Sequence, residues 1–383
     1  MVSVESELPA RRARTGRRGR ARDIPEVALK LVFLLLMLCG LAVGADFPHR
    51  EVTRGLGYFP VAIRLANGDI LAVIRGGAPH VGVKGRLDLV RSSDEGQTWS
   101  APWTAVDQEQ DDRNPALGQL NDGSLVLAYA IASGYDASGL RFAGKRQDWV
   151  FDGVYLVFSK DNGRTWSRPV RDAAIRNFYG GKGAVSPYGK IVQLPGGDVL
   201  MTVYFEFFDG RGNQSYLFRS KDNGRTWGDP VLLAEHFNET AIVRLRDGRL
   251  LAALRSEKGG SLSVSESGDG GRTWSKPVSV TGDNEHPADL IQLRDGRVVM
   301  VYGQRNAPRG VHAMVSPDGR TWDKTKRIVL ADDAPNGDCG YPSSVEVGGG
   351  KVVTIYYQVD DLNNALATSS ARAVVWSVPG RSR

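Results

Sequence analysis

The chain has 383 residues, 41% hydrophobic and 24% charged, enough to bury one large core or two smaller ones. Its formal charge of +6 is concentrated at the N-terminus: eight Lys and Arg against four Asp and Glu precede Ala45, and the remaining 41 and 39 nearly cancel. No basic stripe interleaved with aromatics follows, which excludes nucleic acid as an expected partner; Cys39 and Cys339 are the only cysteines, which excludes a disulfide framework.

The first element in chain order is a leader. Seven arginines fall between Arg11 and Arg22, followed by an apolar run over 31–43 and the small residues Gly44 and Ala45. Such a run is short for a bilayer span, which needs about 20 residues, so it reads as a secretory signal cut near Ala45. Residues 1–45 are then a basic region and signal peptide, and 46–383 a secreted or periplasmic domain. The alternative is an uncleaved anchor, which is also the only membrane contact expected.

Beyond the leader two patterns alternate. The first is a pair of apolar runs around a glycine-containing turn: 61–73 around Asn67-Gly68-Asp69, 116–129 around Asn121-Asp122-Gly123, and 191–204 around Pro195-Gly196-Gly197. It returns at 241–254 around Asp247-Gly248, 290–302 around Asp295-Gly296, and 343–356 around Gly348-Gly349-Gly350. Period-two alternation flanking such turns signals β-hairpins.

The second pattern is Ser-x-Asp-x-Gly-x-Thr-Trp, at Ser92–Trp99, Ser159–Trp166, Ser220–Trp227 and Ser267–Trp274, with a copy one residue shorter at Ser316–Trp322. Each copy reads as a folded turn in which Asp accepts backbone hydrogen bonds, Gly takes a positive φ and Trp packs beneath. The tryptophans are 67, 61, 47 and 48 residues apart, an interval that holds one four-stranded unit. Six hairpins, the first five each followed by a turn motif, in 338 residues predict an all-β, six-bladed β-propeller, with Phe47–Val52 supplying a closing strand. Two inserts, 132–152 and 173–187, are long enough to be functional.

In a propeller the innermost strand of each blade lines a central channel. The residues entering these strands are Tyr58-Phe59-Pro60, Arg113-Asn114-Pro115, Ser186-Pro187-Tyr188, Asn238-Glu239-Thr240, Glu285-His286-Pro287 and Gly340-Tyr341-Pro342. Convergent polar groups in a concave site are the default active-site expectation. Arg113 and His286 are substrate-binding candidates on that ground, and Arg75, closing the first hairpin, is counted with them. No His/Cys/Asp cluster has metal-ligand spacing, so no metal or other cofactor is expected.

The five turn motifs resemble the Asp boxes of the sialidase (neuraminidase) superfamily, and the resemblance covers essentially all of 46–383. Three local matches go further. Asn238-Glu239-Thr240 leading to Leu254-Arg255-Ser256 resembles the segment that supplies a catalytic glutamate and a carboxylate-binding arginine. Arg309 stands about where the family places its last substrate arginine. Cys339-Gly340-Tyr341-Pro342-Ser343 resembles the segment of the nucleophilic tyrosine. The resemblance implies Tyr341 as nucleophile, Glu239 as its base, and Arg255 and Arg309 on an anionic group. Two departures accompany it. The family's first arginine lies in a Tyr-Arg-Ile-Pro type segment that here reads Gly57-Tyr58-Phe59-Pro60, with no arginine, and its acidic partner appears as Gln358. The loop 76–84 lacks the aspartate acid, leaving His80 as its only ordinary proton donor near neutral pH.

The function expected is an exo-acting glycoside hydrolase releasing a terminal acidic sugar, sialic acid or a related one, from a glycan. The alternatives are a lyase or hydrolase of uronic-acid glycans and a non-catalytic carbohydrate-binding propeller.

Overall fold

The computed structural model describes residues 47–55, 57–181, 183–360 and 368–380. The leader and Cys39 lie outside them. Among the described residues no helix is long and apolar enough to cross a membrane.

The chain is all-β. After β1 (His49–Arg54) come β2 (Tyr58–Arg64), β3 (Ile70–Gly76), β4 (Arg86–Ser92) and β5 (Trp103–Val106), then β6 (Asp111–Gln119), β7 (Leu125–Ser133), β8 (Val150–Ser159) and β9 (Val170–Arg171). A short helix α1 (Ala173–Tyr179) precedes β10 (Ala184–Gln193), β11 (Val199–Phe207), β12 (Gly212–Ser220) and β13 (Gly228–Glu235). Then follow β14 (Phe237–Arg244), β15 (Leu250–Ser256), β16 (Leu262–Ser267) and β17 (Val278–Ser279), and β18 (Glu285–Gln292), β19 (Val298–Gln304), β20 (Gly310–Ser316) and β21 (Ile328–Ala331). The chain closes with β22 (Cys339–Glu346), β23 (Lys351–Val359) and β24 (Ser369–Ser377). The predicted hairpins are β2–β3, β6–β7, β10–β11, β14–β15, β18–β19 and β22–β23, all antiparallel.

Four sheets have four strands each, and a fifth has eight. Their arrangement is propeller-like: the inner strands β2, β6, β10, β14, β18 and β22 contact one another in that order, and β22 returns to β2. As expected from the sequence, the N-terminal strand β1 pairs with β24, so the two ends of the domain share one sheet. The eight-stranded sheet was not expected. Within it two four-stranded antiparallel runs join where β6 and β10 pair in parallel, Ala116 against Gly189 and Leu117 against Lys190. Gly118 permits the approach, since a Cβ there would lie 2.6 Å from the Ile191 carbonyl oxygen.

The turn motifs form as predicted. In the first, Ser92 Oγ donates to Asp94 Oδ1 at 2.8 Å and accepts from Gly96 N, and Asp94 accepts from Thr98 N at 2.9 Å; the other copies repeat the scheme. Trp99, Trp166, Trp227, Trp274 and Trp322 each pack on a different hydrophobic cluster between sheets. Of the two inserts, 173–187 is structural in its first half, where Asp172 caps α1 through Ile175 N and also accepts from Trp227 N. Across the centre, Lys190 Nζ donates to Asp289 Oδ2 at 2.5 Å and to the Ser344 carbonyl at 2.8 Å, tying β10, β18 and β22.

The motif aspartates are acid-sensitive struts. Bonds from the threonine hydroxyl first, then its backbone N–H, hold Asp94 down to about 2 and lower Asp161 and Asp269 as well. At Asp222 and Asp318 partial burial pushes upward, and backbone N–H and Thr and Ser hydroxyl bonds together outweigh it. Depressed carboxylates contribute stability that is complete above the unfolded value of about 3.9 and is lost as pH falls through the folded value. The part of the acid-induced fall in the urea-denaturation midpoint that these aspartates cause should therefore lie between about pH 4 and 2, below the decline that the buried neutral His286 brings. Replacing Asp94, Asp161 and Asp269 by Asn should lower the midpoint at pH 7 and flatten that fall; an unchanged fall would show that the acid sensitivity lies elsewhere.

Candidate active site

Five of the six inner strands are irregular at their entry, and in β10 the irregularity falls later in the strand. The register with its neighbour shifts between Tyr58 and Val61, Arg113 and Ala116, Tyr188 and Val192, Phe237 and Thr240, Glu285 and Ala288, and Gly340 and Ser343. A bulge adds a residue to one strand and re-aims its side chain. Phe59, Asn114 and Tyr341 sit at these bulges with φ of 52°, 51° and 48°, a left-handed conformation that costs a non-glycine residue about 1 kcal/mol or more. The strain falls where the sequence places the channel mouth.

Tyr341 (β22), Glu239 (β14) and Arg255 (β15) meet there. The Tyr341 hydroxyl donates to Glu239 Oε1, and Arg255 Nη1 donates to Glu239 Oε2 at 2.5 Å and to the Tyr341 oxygen at 3.4 Å. Glu239 is 4% exposed, so its charge depends on that guanidinium. Burial and then Glu239 push the Tyr341 phenol well above its ordinary value, with Arg255 and Arg305 pulling back, so it is a neutral phenol with an acceptor already in place.

Arg305, one residue past β19, completes the cluster with its guanidinium 5.6 Å from the centre of the Tyr341 ring. Its Nε and Nη2 are buried without a protein partner, as are Arg255 Nε and His286 Nδ1. Burial first, then Arg255 and Arg305, hold His286 down to about 2, so it is a neutral imidazole. Buried donors are normally paired, and three unpaired guanidinium nitrogens around one phenol mark a place for an anion.

The candidates from sequence divide. Tyr341, Glu239, Arg255 and His286 converge. Arg113 borders the same space: it donates to Asp111 at 3.1 Å, and the neighbouring Asn114 donates to Tyr204, a phenol whose surroundings include Glu239, Arg113 and Arg255. Arg75 faces away from any ligand. It is fully buried, with its donors spent on Asp111 at 2.9 and 2.5 Å and on the carbonyls of Ala78, Pro79 and Gly82. Arg75 therefore anchors the loop that carries His80. Arg309 lies near the Cys339 thiol, and the second guanidinium beside Tyr341 is that of Arg305. The sequence did hold a signal for Arg305. Arg255 ends the second strand of its hairpin seven residues after Gly248, and Arg305 follows Gly296 by nine, which keeps it on the same face of a period-two strand.

His80 pairs with an acid that the sequence reading missed. Its Nδ1 lies 2.9 and 3.0 Å from the two Asp338 carboxylate oxygens, and the Tyr357 hydroxyl donates to Asp338 Oδ1 at 2.6 Å. Phe59 packs against both His80 and Tyr341, its ring centre 5.0 Å from one and 4.9 Å from the other. With Tyr58 and Tyr357 it forms an aromatic cluster beside the site, while Gln358 accepts from Arg372 at 3.1 Å. One rim of the opening is the insert 132–152: Gly139 O accepts from Val83 N in the His80 loop, and Tyr135 donates to Asp111. Rings of Tyr135, Phe142 and Trp149 stack along it. Among the described residues no group of three or more His, Cys, Asp or Glu is placed to hold a metal ion.

Comparison with known proteins gives the same architecture. The family described as BNR repeat-like domain matches residues 74–354. A sialidase of Paraclostridium sordellii is 27% identical over 251 residues, 60% of this chain and 60% of that protein. The chain spans about half the length of the curated relatives it matches. Among solved structures, a Dyadobacter fermentans protein of unknown function is 25% identical, with a TM-score of 0.69 over 86% of this chain and 99% of its own. A sialidase of Streptococcus pneumoniae is 16% identical, with a TM-score of 0.64 over 84% of this chain and 68% of its own, a likeness of fold.

The two guanidiniums beside Tyr341 should differ in what they do for stability. Arg255→Met leaves Glu239 buried and unpaired and should cost about 3 kcal/mol in urea denaturation. Arg305→Met removes a buried cation with unpaired donors and should be neutral or stabilise by about 1 kcal/mol. Equal losses for the two would show that Arg305 is a structural residue.

Proposed function

Since the chain belongs to the BNR repeat-like family of the sialidase superfamily, we propose that it is an exo-acting glycoside hydrolase that removes a terminal acidic sugar, sialic acid first, from a glycan. The observation that carries the reading is the Tyr341–Glu239 hydrogen bond flanked by the unpaired donors of Arg255 and Arg305. The fold is then a six-bladed propeller whose eight-stranded sheet is two blades joined at β6 and β10, a count supported by the ring of six inner strands.

The chemistry follows from charge. A sugar with a carboxylate on its anomeric carbon repels an anionic nucleophile, and a neutral phenol avoids the repulsion. Arg255 Nε and the free Arg305 nitrogens take the carboxylate, and neutral His286 adds no competing charge. The Tyr341 oxygen bonds to the anomeric carbon as its proton passes to Glu239, while the glycosidic oxygen leaves with the bonding electron pair and a proton from His80. Water then attacks the glycosyl-tyrosine, giving its proton to His80, and Glu239 returns a proton to the departing phenolate. Arg113, beyond Asn114 and Tyr204, borders the far side of the sugar.

A second reading rests on the segment Gly57-Tyr58-Phe59-Pro60. With an aromatic ring where the family's first arginine stands, the site offers an acid fewer guanidinium donors, which favours a uronic-acid terminus as the competing substrate.

The test is turnover of an aryl sialoside. The wild type should release the phenol, Tyr341→Phe should lose roughly a thousandfold in kcat/KM, and Arg305→Ala should mainly raise KM. Turnover by the Phe variant at the wild-type rate contradicts the mechanism. An unsaturated product absorbing in the ultraviolet from a uronic-acid glycan selects the second reading, and binding without product across a glycan panel selects a non-catalytic module.

A further inference from the structure

His80 enters the site on a loop that is already fixed without it. Arg75 donates to the carbonyls of Ala78, Pro79 and Gly82, and Arg113 donates to the His80 carbonyl at 3.4 Å. The contact between the His80 ring and Asp338 is therefore not needed to hold the loop; what it sets is the imidazole itself. The ring is wedged edge-on against Tyr58 and Phe59, with centres 5.6 and 5.0 Å away. Asp338 takes Nδ1, and the His80 side chain is still 40% exposed while that of Asp338 is 15% exposed. With Nδ1 engaged, Nε2 is the nitrogen left to exchange a proton with a substrate.

Asp338 is held as firmly as the ring it holds. Tyr357 donates to it, its own backbone N–H donates to Asn336 Oδ1 at 2.9 Å, and Arg305 lies within electrostatic reach. Burial pushes the carboxyl up, yet His80, Tyr357 and Arg305 bring it below its ordinary value. A solvent-exposed ion pair contributes little and leaves its members free to rotate. Here a carboxylate with three fixed neighbours locks one tautomer of a partly open imidazole, three residues before the phenol of Tyr341 in the same strand region.

We infer that Asp338 is the positioning residue of a His80–Asp338 proton-transfer pair, which takes over the leaving-group step in a site whose loop 76–84 has no carboxylic acid. The inference rests on the hydrolase reading above. His80 Nε2–H gives its proton to the glycosidic oxygen as the bond to the anomeric carbon breaks and the electron pair goes to that oxygen. Asp338 keeps Nδ1–H pointed at itself throughout and offsets the imidazolium charge present before transfer. In the second half-reaction the neutral Nε2 accepts a proton from the attacking water, restoring the starting state.

Two measurements on the full-length protein decide it. The first compares an aryl sialoside, whose leaving group needs little protonation, with a sialyl-galactoside, whose leaving group needs much. Asp338→Asn should lower kcat on the galactoside roughly ten- to a hundredfold more than on the aryl glycoside. Tyr357→Phe, which removes one donor to Asp338 and keeps the carboxylate, should show the same ratio in smaller degree. Equal losses on both substrates with either variant would mean that Asp338 supports the fold alone, and would overturn the pairing. The second is ¹⁵N NMR of the histidine rings, which reads the tautomer independently of turnover. Wild-type His80 should carry its proton on Nδ1 when neutral, and Asp338→Asn should abolish that preference. An Nε2–H tautomer in the wild type would overturn the pairing. If the wild type cleaves neither sialoside, the hydrolase reading falls, and with it the step assigned to His80, whereas the NMR result distinguishes that from a failure of the His80–Asp338 contact.

Discussion

A hydrogen bond between residues 102 positions apart, from the Tyr341 hydroxyl to the Glu239 carboxylate, sets the conditions for the rest of the site. It needs β14 and β22 on opposite sides of β18 in a closed ring of inner strands, and it needs a bulge at the entry of each to turn the side chain inward. The ring gives proximity and the bulges give direction. Neither supplies charge balance, which comes from Arg255 on the Glu239 side and from the unpaired Arg305 over the phenol.

The energetic pattern separates scaffold from site. In the scaffold, the charged groups named above are paired: the motif aspartates accept from Thr and Ser, Arg75 spends its donors on Asp111 and three carbonyls, and Lys190 bridges three inner strands. At the channel mouth the balance reverses, with left-handed backbone at Phe59, Asn114 and Tyr341 and orphaned donors on Arg255, Arg305 and His286. Left-handed residues such as Glu95, Asn162 and Asn223, and orphaned atoms such as those of His312 and Tyr302, occur in the scaffold too; what marks the channel mouth is that orphaned guanidinium nitrogens gather there beside one phenol.

The scaffold was legible because its signals are local. The Asp-Gly turns, the alternation beside them and the Ser-x-Asp-x-Gly-x-Thr-Trp copies each encode a turn or hairpin within about a dozen residues, and every predicted hairpin is present. The join between β6 and β10 was hidden, since it depends on a missing Cβ at Gly118 meeting a strand 73 residues away. At the site, Tyr341, Glu239 and Arg255 were readable from their segments. Arg309 stands seven residues before the Ser316 turn motif, where the resemblance puts an arginine, whereas strand face points to Arg305. Arg75 was misplaced for the opposite reason: it stands at the end of a hairpin as Arg255 does, but Asp111 from the next sheet claims it. Asp338 carried no local mark, being one of several acids in 332–338, and only the fold brings it to His80.

The most direct test of the central claim is to trap the bond that Tyr341 is said to form. A fluorinated sialosyl fluoride, whose fluorine next to the anomeric centre slows release, should inactivate the wild type and leave one sugar on the peptide containing Tyr341 by mass spectrometry, with no label in Tyr341→Phe. Steady turnover of that reagent with the sugar found on another residue, or on none, would contradict the account.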